Sequence, residues 1–106
     1  MSVKGLLSED LIMERVKEVF DPEIHMSIVE LGLVYGVEVQ DDGIVEVTYT
    51  LTSPGCPLGA VIDGQIQDVL IDLPGVKAVR TKLTFSPPWD PRTMASEEAK
   101  DQLGIY

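Results

Sequence analysis

Cysteine and histidine are almost missing from this chain. One of each stands among 106 residues. A single thiol excludes an intrachain disulfide framework and any metal site built on a cysteine pair. A single imidazole excludes histidine-cluster sites. Basic residues are few as well: eight Lys and Arg face 18 Asp and Glu, a formal charge of −10. Phosphate binding needs clustered Lys and Arg, so nucleic acid is not an expected partner. The same charge argues against anionic membranes. It suits solubility and a basic partner surface. No apolar run nears the ~20 residues that a membrane-spanning helix requires. Met1 to Leu7 hold one Lys and no long apolar stretch, so no signal peptide is expected. The expected setting is soluble and cytoplasmic. Phosphate loops are lacking too, because Gly55 and Gly59 have no Lys-Ser/Thr after them. Nor is there a nucleophile elbow for a Ser-His-Asp site.

What remains is ordinary for a folded domain, with 44% hydrophobic and 25% charged residues. This length supports one core and one domain over residues 1–106. Residues 1–7 are expected to be flexible, and residues 86–106 to form a C-terminal arm and short helix.

Local signals set the expected elements. Ser8 is a helix N-cap, followed by Glu9 and Asp10 where the helix dipole favours acids. Leu7 and Ile12 occupy hydrophobic-staple positions. Ile12, Val16, Val19 and Phe20 recur at helical spacing, and Asp21-Pro22 marks the stop. Ser27 to Glu30 has capping-box spacing, so a short helical turn ends at Gly32. Tyr35, Val37 and Val39 alternate with Gly36 and Glu38. Val45, Val47, Tyr49 and Leu51 alternate with Glu46, Thr48 and Thr50. Asp41-Asp42-Gly43 is the hairpin turn between these two strands.

Thr52 to Pro57 reads as a loop. A helix from Leu58 to Leu73 follows, stopped by Pro74-Gly75. A third strand covers Val76 to Phe85, with Val79, Leu83 and Phe85 inward. Pro87, Pro88 and Pro91 make Ser86 to Thr93 a rigid, non-helical arm. Ser96 caps a last helix, and Gly104 ends it with Ile105 packing back. The order α-β-β-α-β, plus arm and short helix, predicts an α+β fold. Its helices lie on one face of a small mixed sheet, in two layers.

The densest chemical signal is Thr52-Ser53-Pro54-Gly55-Cys56-Pro57-Leu58-Gly59, between a strand and a helix. Unpaired N–H groups and the positive dipole end favour an anion at a helix start. A thiol there loses its proton more readily than a free one, whose pKa is about 8.5. The thiolate is the form that binds metals and attacks electrophiles. A buried, inert cysteine in a proline-rich turn is the alternative. Asp21, Glu23 and His25 form a second segment, either assisting a thiolate or ligating iron or zinc, or simply solvated. Trp89 lies in the proline-rich arm, as a partner anchor or as a lid on the domain's own core. Arg92 follows it, within reach of a thiolate only if the fold brings it there.

Asp21-Pro22-Glu23-Ile24, Ile28 to Tyr35, and Thr50 to Leu58 together resemble the SufT/PaaD-like metal–sulfur cluster biosynthetic family. Leu83 to Pro91, Met94 to Ala99 and Leu103-Gly104 extend the resemblance over nearly the whole chain. The resemblance implies an iron–sulfur cluster assembly type of fold. It implies a carrier or targeting factor in iron–sulfur protein maturation, not an enzyme. It places the reactive cysteine at Cys56, acidic loop residues at Asp21 and Glu23, and a hydroxyl neighbour at Thr52. Trp89 and Arg92 fall in its C-terminal arm, as partner-binding positions. His25 has no counterpart in the family pattern. PaaD-type members carry a cysteine-bearing C-terminal extension, whereas this sequence stops at Tyr106, which favours general maturation over an accessory role to phenylacetate oxygenase.

A cluster normally takes about four ligands, mostly thiolates. One Cys56 per chain falls short, so no stable cofactor is expected. Three routes remain: a homodimer sharing a cluster, transient passage of iron or a cluster through Cys56, or a persulfide or docking role. Transient passage between assembly proteins and acceptor apoproteins is the leading expectation. A metal-free adaptor with a structural cysteine, and a small thiol enzyme helped by Asp21 or His25, are the rivals.

Overall fold

The computed structural model describes residues 7–22, 24–52 and 59–104. The elements are α1 (Glu9–Val16), β1 (Val34–Val39), β2 (Ile44–Tyr49), α2 (Gly59–Ile71), β3 (Ala78–Leu83), α3 (Pro91–Met94) and α4 (Glu97–Leu103). The α-β-β-α-β order matches the expectation.

Ser8 caps α1, its Oγ accepting from the Leu11 N–H at 3.0 Å. Leu7, just before the cap, is buried. The helix stops at Val16, short of the expected Asp21-Pro22 boundary. The N–H groups of Glu18 and Val19 reach back only three residues, to Arg15 and Val16. That tightening turns the chain. Phe20 then pairs with Ser27 across a narrow loop. Val19 stays in the core, but Phe20, expected on the apolar face, is 50% exposed.

The turn after Ser27 forms as expected. Ser27 Oγ accepts from the Val29 N–H, and its carbonyl accepts from the Leu31 N–H. Gly32 closes it at φ 79°. A Cβ on Gly32 would collide with the Met94 carbonyl, so only glycine lets α3 approach this closely.

β1 and β2 pair antiparallel, from Val39↔Val45 to Val34↔Tyr49, with an irregularity between Val34 and Gly36. Gly43 makes the hairpin turn at φ 88°, its N–H donating to Gln40. β3 joins the other edge of β2 in parallel, Ile44↔Ala78 through Tyr49↔Leu83. The sheet order is therefore β1-β2-β3, mixed, with β2 central.

Alternation on β2 sorts the two faces. Val45, Val47 and Tyr49 are buried, while Ile44, Glu46 and Thr48 are partly exposed. Ile12 and Val16 of α1, and Ile62, Ile66 and Leu70 of α2, are fully buried in the same core. Arg15 Nε donates to the Val69 carbonyl at 3.1 Å and ties α1 to α2. The result is two layers, with both long helices over one sheet face.

Two other expectations fail. Leu83 and Phe85, expected inward, are 45% and 39% exposed. β3 is an edge strand, paired on one side only. The arm also contains helix: Asp90 accepts from the Arg92 N–H, Pro91 fills the first helical position, and one turn forms at α3. Ser96 caps α4, its Oγ accepting from the Ala99 N–H. Gly104 ends α4 at φ 74°. The expected packing of Ile105 lies outside the described residues.

Candidate functional site

The central strand ends at Tyr49, and the chain then runs through residues 53–58 before Gly59 opens α2. Cys56 lies in that loop, and both it and Glu23, which follows Asp21-Pro22 in the chain, fall outside the described residues.

On one side of the strand end, the Thr50 N–H donates to the Leu33 carbonyl at 2.8 Å. On the other, the Tyr49 carbonyl accepts from the Thr84 N–H at 3.0 Å. Leu51 is buried, and a Cβ at Gly59 would stand 3.0 Å from Leu51 Cδ1. The start of α2 therefore rests directly on the end of β2. No acidic residue occupies the first turn of α2, so its positive end is not offset there.

Asp63, one turn into α2, anchors the helix to both strands below. Tyr49 Oη donates to its Oδ2 at 3.1 Å, Thr81 Oγ1 to the same oxygen at 2.9 Å, and Gln67 Nε2 to Oδ1 at 2.6 Å. Burial, then the Asp63 charge and hydrogen bond, push the Tyr49 hydroxyl up to about 12.

Asp21 was read from sequence as a loop acid, yet it is only 3% exposed. Its Oδ1 accepts from the Ile24 N–H at 3.0 Å. Its own N–H donates to Met26, and its carbonyl accepts from His25. His25 sits at φ 62°, a left-handed conformation that the narrow turn imposes. Backbone bonds from Ile28 to Val19, Leu33 to Ile28, and Thr50 to Leu33 connect this loop to the β2 end. Asp21 and the strand leading to Thr52 thus belong to one braced unit.

Trp89 is partly buried against the core, and its Nε1 donates to the Leu31 carbonyl at 2.7 Å. Tyr35 Oη donates to the Pro87 carbonyl at 2.8 Å, and the Ser96 N–H donates to Glu30 at 2.8 Å. The arm is strapped across the domain at three points. Arg92 is exposed in α3, and its side chain has no ion pair among the described residues. Thr52 is partly exposed at the loop entrance.

Sequence reasoning passed over Thr50. Its side chain is fully buried, and Oγ1 has no hydrogen-bond partner among the described residues. Alternation marked it as outward-facing, and only packing reveals otherwise. Among the described residues no three His, Cys, Asp or Glu side chains converge to hold a metal ion. No described helix is long and apolar enough to cross a membrane.

Residues 9–81 match a family described as iron-sulfur cluster assembly protein. The chain is 45% identical over 94 residues to the Fe-S protein maturation auxiliary factor YitW of Bacillus subtilis, covering 89% of this chain and 91% of that protein. It is 45% identical over 87 residues to the Fe-S protein maturation auxiliary factor SufT of Staphylococcus aureus, covering 82% and 98%. The fold is similar to a crystal structure of a domain of unknown function, DUF59, from Bacillus anthracis. That similarity has a TM-score of 0.85 at 35% identity, over 92% of each chain.

Proposed function

The chain belongs to the iron-sulfur cluster assembly protein family, and on that premise we propose that it is a maturation factor passing iron or a cluster to acceptor apoproteins through Cys56. The observation that carries this reading is the span of the family match. It includes both the Asp21 loop and the β2–α2 loop that holds Cys56.

The chemistry is ligand exchange. The Cys56 thiolate takes one coordination position on iron as a donor thiolate leaves. An acceptor thiolate then displaces Cys56. Each step forms one Fe–S bond and breaks one, with no change of oxidation state. One thiol per chain makes the hold incomplete, which suits a carrier that must release its cargo. The cluster is cargo and not a resident cofactor, and the chain acts without catalytic residues of its own.

Asp21, Glu23 and Thr52 are the proposed companions of the thiol. Asp21 stabilises the turn of its loop, and Thr52 offers a hydroxyl at the entrance to the Cys56 loop. Arg92, exposed in α3, is the partner-facing charge of the arm, and Trp89 holds that arm against its own domain. The partners are assembly proteins and apoproteins, and the setting is cytoplasmic.

Iodoacetamide labelling of the native chain at neutral pH tests whether the thiol is available. Rapid modification of Cys56, with loss of transfer to an apo-ferredoxin, is the expected result. Labelling no faster than that of a buried thiol would overturn the proposal and leave a metal-free adaptor.

A further inference from the structure

A second feature stands apart from the Cys56 loop and does not depend on its chemistry. An open groove of about 240 Å³ runs between the 20–30 segment and α4. Its floor is apolar: Met26 is 8% exposed and Ala99 is fully buried. Phe20 forms one wall and is half exposed, although it is a large aromatic that the helical pattern had assigned to the core.

The rim is polar and acidic. Glu30 and Glu98 line it from opposite sides, with His25 and Gln102. None of these four side chains makes a hydrogen bond or ion pair among the described residues. Lys100, the nearby cation of α4, already pairs with Glu97 at 3.3 Å. The groove therefore joins an apolar floor, an open aromatic face and two unpaired carboxylates.

From this juxtaposition we infer that the groove docks an arginine side chain presented by a partner protein. The arginine's methylenes lie along Met26 and Ala99. Its guanidinium plane stacks on Phe20 and meets Glu30 and Glu98. The cavity has room for one long side chain. Charge settles the choice of occupant: a chain of −10 attracts a basic partner surface and repels a second copy of itself. This role extends the maturation proposal by giving the chain a partner contact distinct from its thiol.

The test is an NMR titration of the full chain with an acetylated, amidated Gly-Leu-Arg-Leu-Gly peptide. Two control peptides replace Arg with citrulline, which keeps shape but not charge, or with Glu. Saturable shifts at the amides of Phe20, Ser27, Ala99 and Gln102 are expected for the Arg peptide. Citrulline should bind roughly fivefold more weakly, and Glu should not bind. Phe20→Ala and the paired Glu30→Gln, Glu98→Gln variant should each weaken the Arg peptide about fivefold, with unchanged spectra elsewhere. Equal binding of all three peptides, shifts mapping outside the groove, or no saturation would each overturn the inference. So would concentration-dependent self-association lost in Phe20→Ala, which would assign the groove to a second copy. Failure here leaves Cys56 labelling untouched, so the two proposals fall separately.

Discussion

Trp89 donates its indole N–H to the Leu31 carbonyl across 58 residues of sequence, at 2.7 Å. This bond fixes the C-terminal arm beside the turn that precedes β1. Trp89→Phe removes the donor and leaves the carbonyl short of a partner. A loss of about 1 kcal/mol is expected in urea unfolding, with the larger effect on protection of the arm amides. Unchanged stability and arm protection would mean that the strap holds through Tyr35 and Ser96 alone.

Tyr49 and Asp63 make stability depend on pH in a definite direction. The folded hydroxyl, near 12, lies above the ordinary value of 10.0. The neutral form is therefore the one the fold favours. Its contribution is fully present below pH 10 and is lost as pH rises toward 12. Tyr49→Phe should flatten this alkaline decline. Melting curves between pH 8 and pH 11.5 check it, and an equally steep decline in the variant would contradict it.

Gly32 should not tolerate a side chain. Its φ of 79° and the collision of any Cβ with Met94 both oppose one. Gly32→Ala is expected to cost roughly 2–4 kcal/mol in denaturant unfolding, more than the strain term alone. Gly64, where a Cβ meets nothing within 4 Å inside α2, is the control. Alanine there should stabilise by about 1 kcal/mol.

Thr50 buries a hydroxyl that has no partner among the described residues. Thr50→Val keeps the shape and removes the polar atom. Stability should be unchanged or higher by about 1 kcal/mol. A clear loss would contradict this and show that the hydroxyl makes a stabilising hydrogen bond.

Local chemistry was legible and long-range pairing was not. Ser8, Ser96, Gly43 and Gly104 act within four residues of themselves, so their roles could be read directly. Val45, Val47 and Tyr49 declared the buried face of β2 through alternation. The end of α1 was misjudged because Pro22 sets only an outer limit, while the bridge of Phe20 to Ser27 draws the chain out earlier. Leu83 and Phe85 looked inward by pattern, but they stand at the end of an edge strand and are exposed. Asp90-Pro91 carried a helix-start signal that the surrounding prolines obscured. At the candidate site, Asp21 was found as a residue but not as a buried one, since burial there comes from the loop folding onto itself. Trp89 was open between anchor and lid, and its bond to Leu31 shows it packed on its own domain.

Cluster transfer with Cys56→Ser decides the main proposal most directly. An iron–sulfur-loaded scaffold, an apo-ferredoxin and either the native chain or the variant would be mixed anaerobically and followed by absorbance. Circular dichroism would confirm that both chains are folded. The native chain should accelerate transfer, and the folded variant should lose that acceleration. Full acceleration by the serine variant would contradict a role for the thiol.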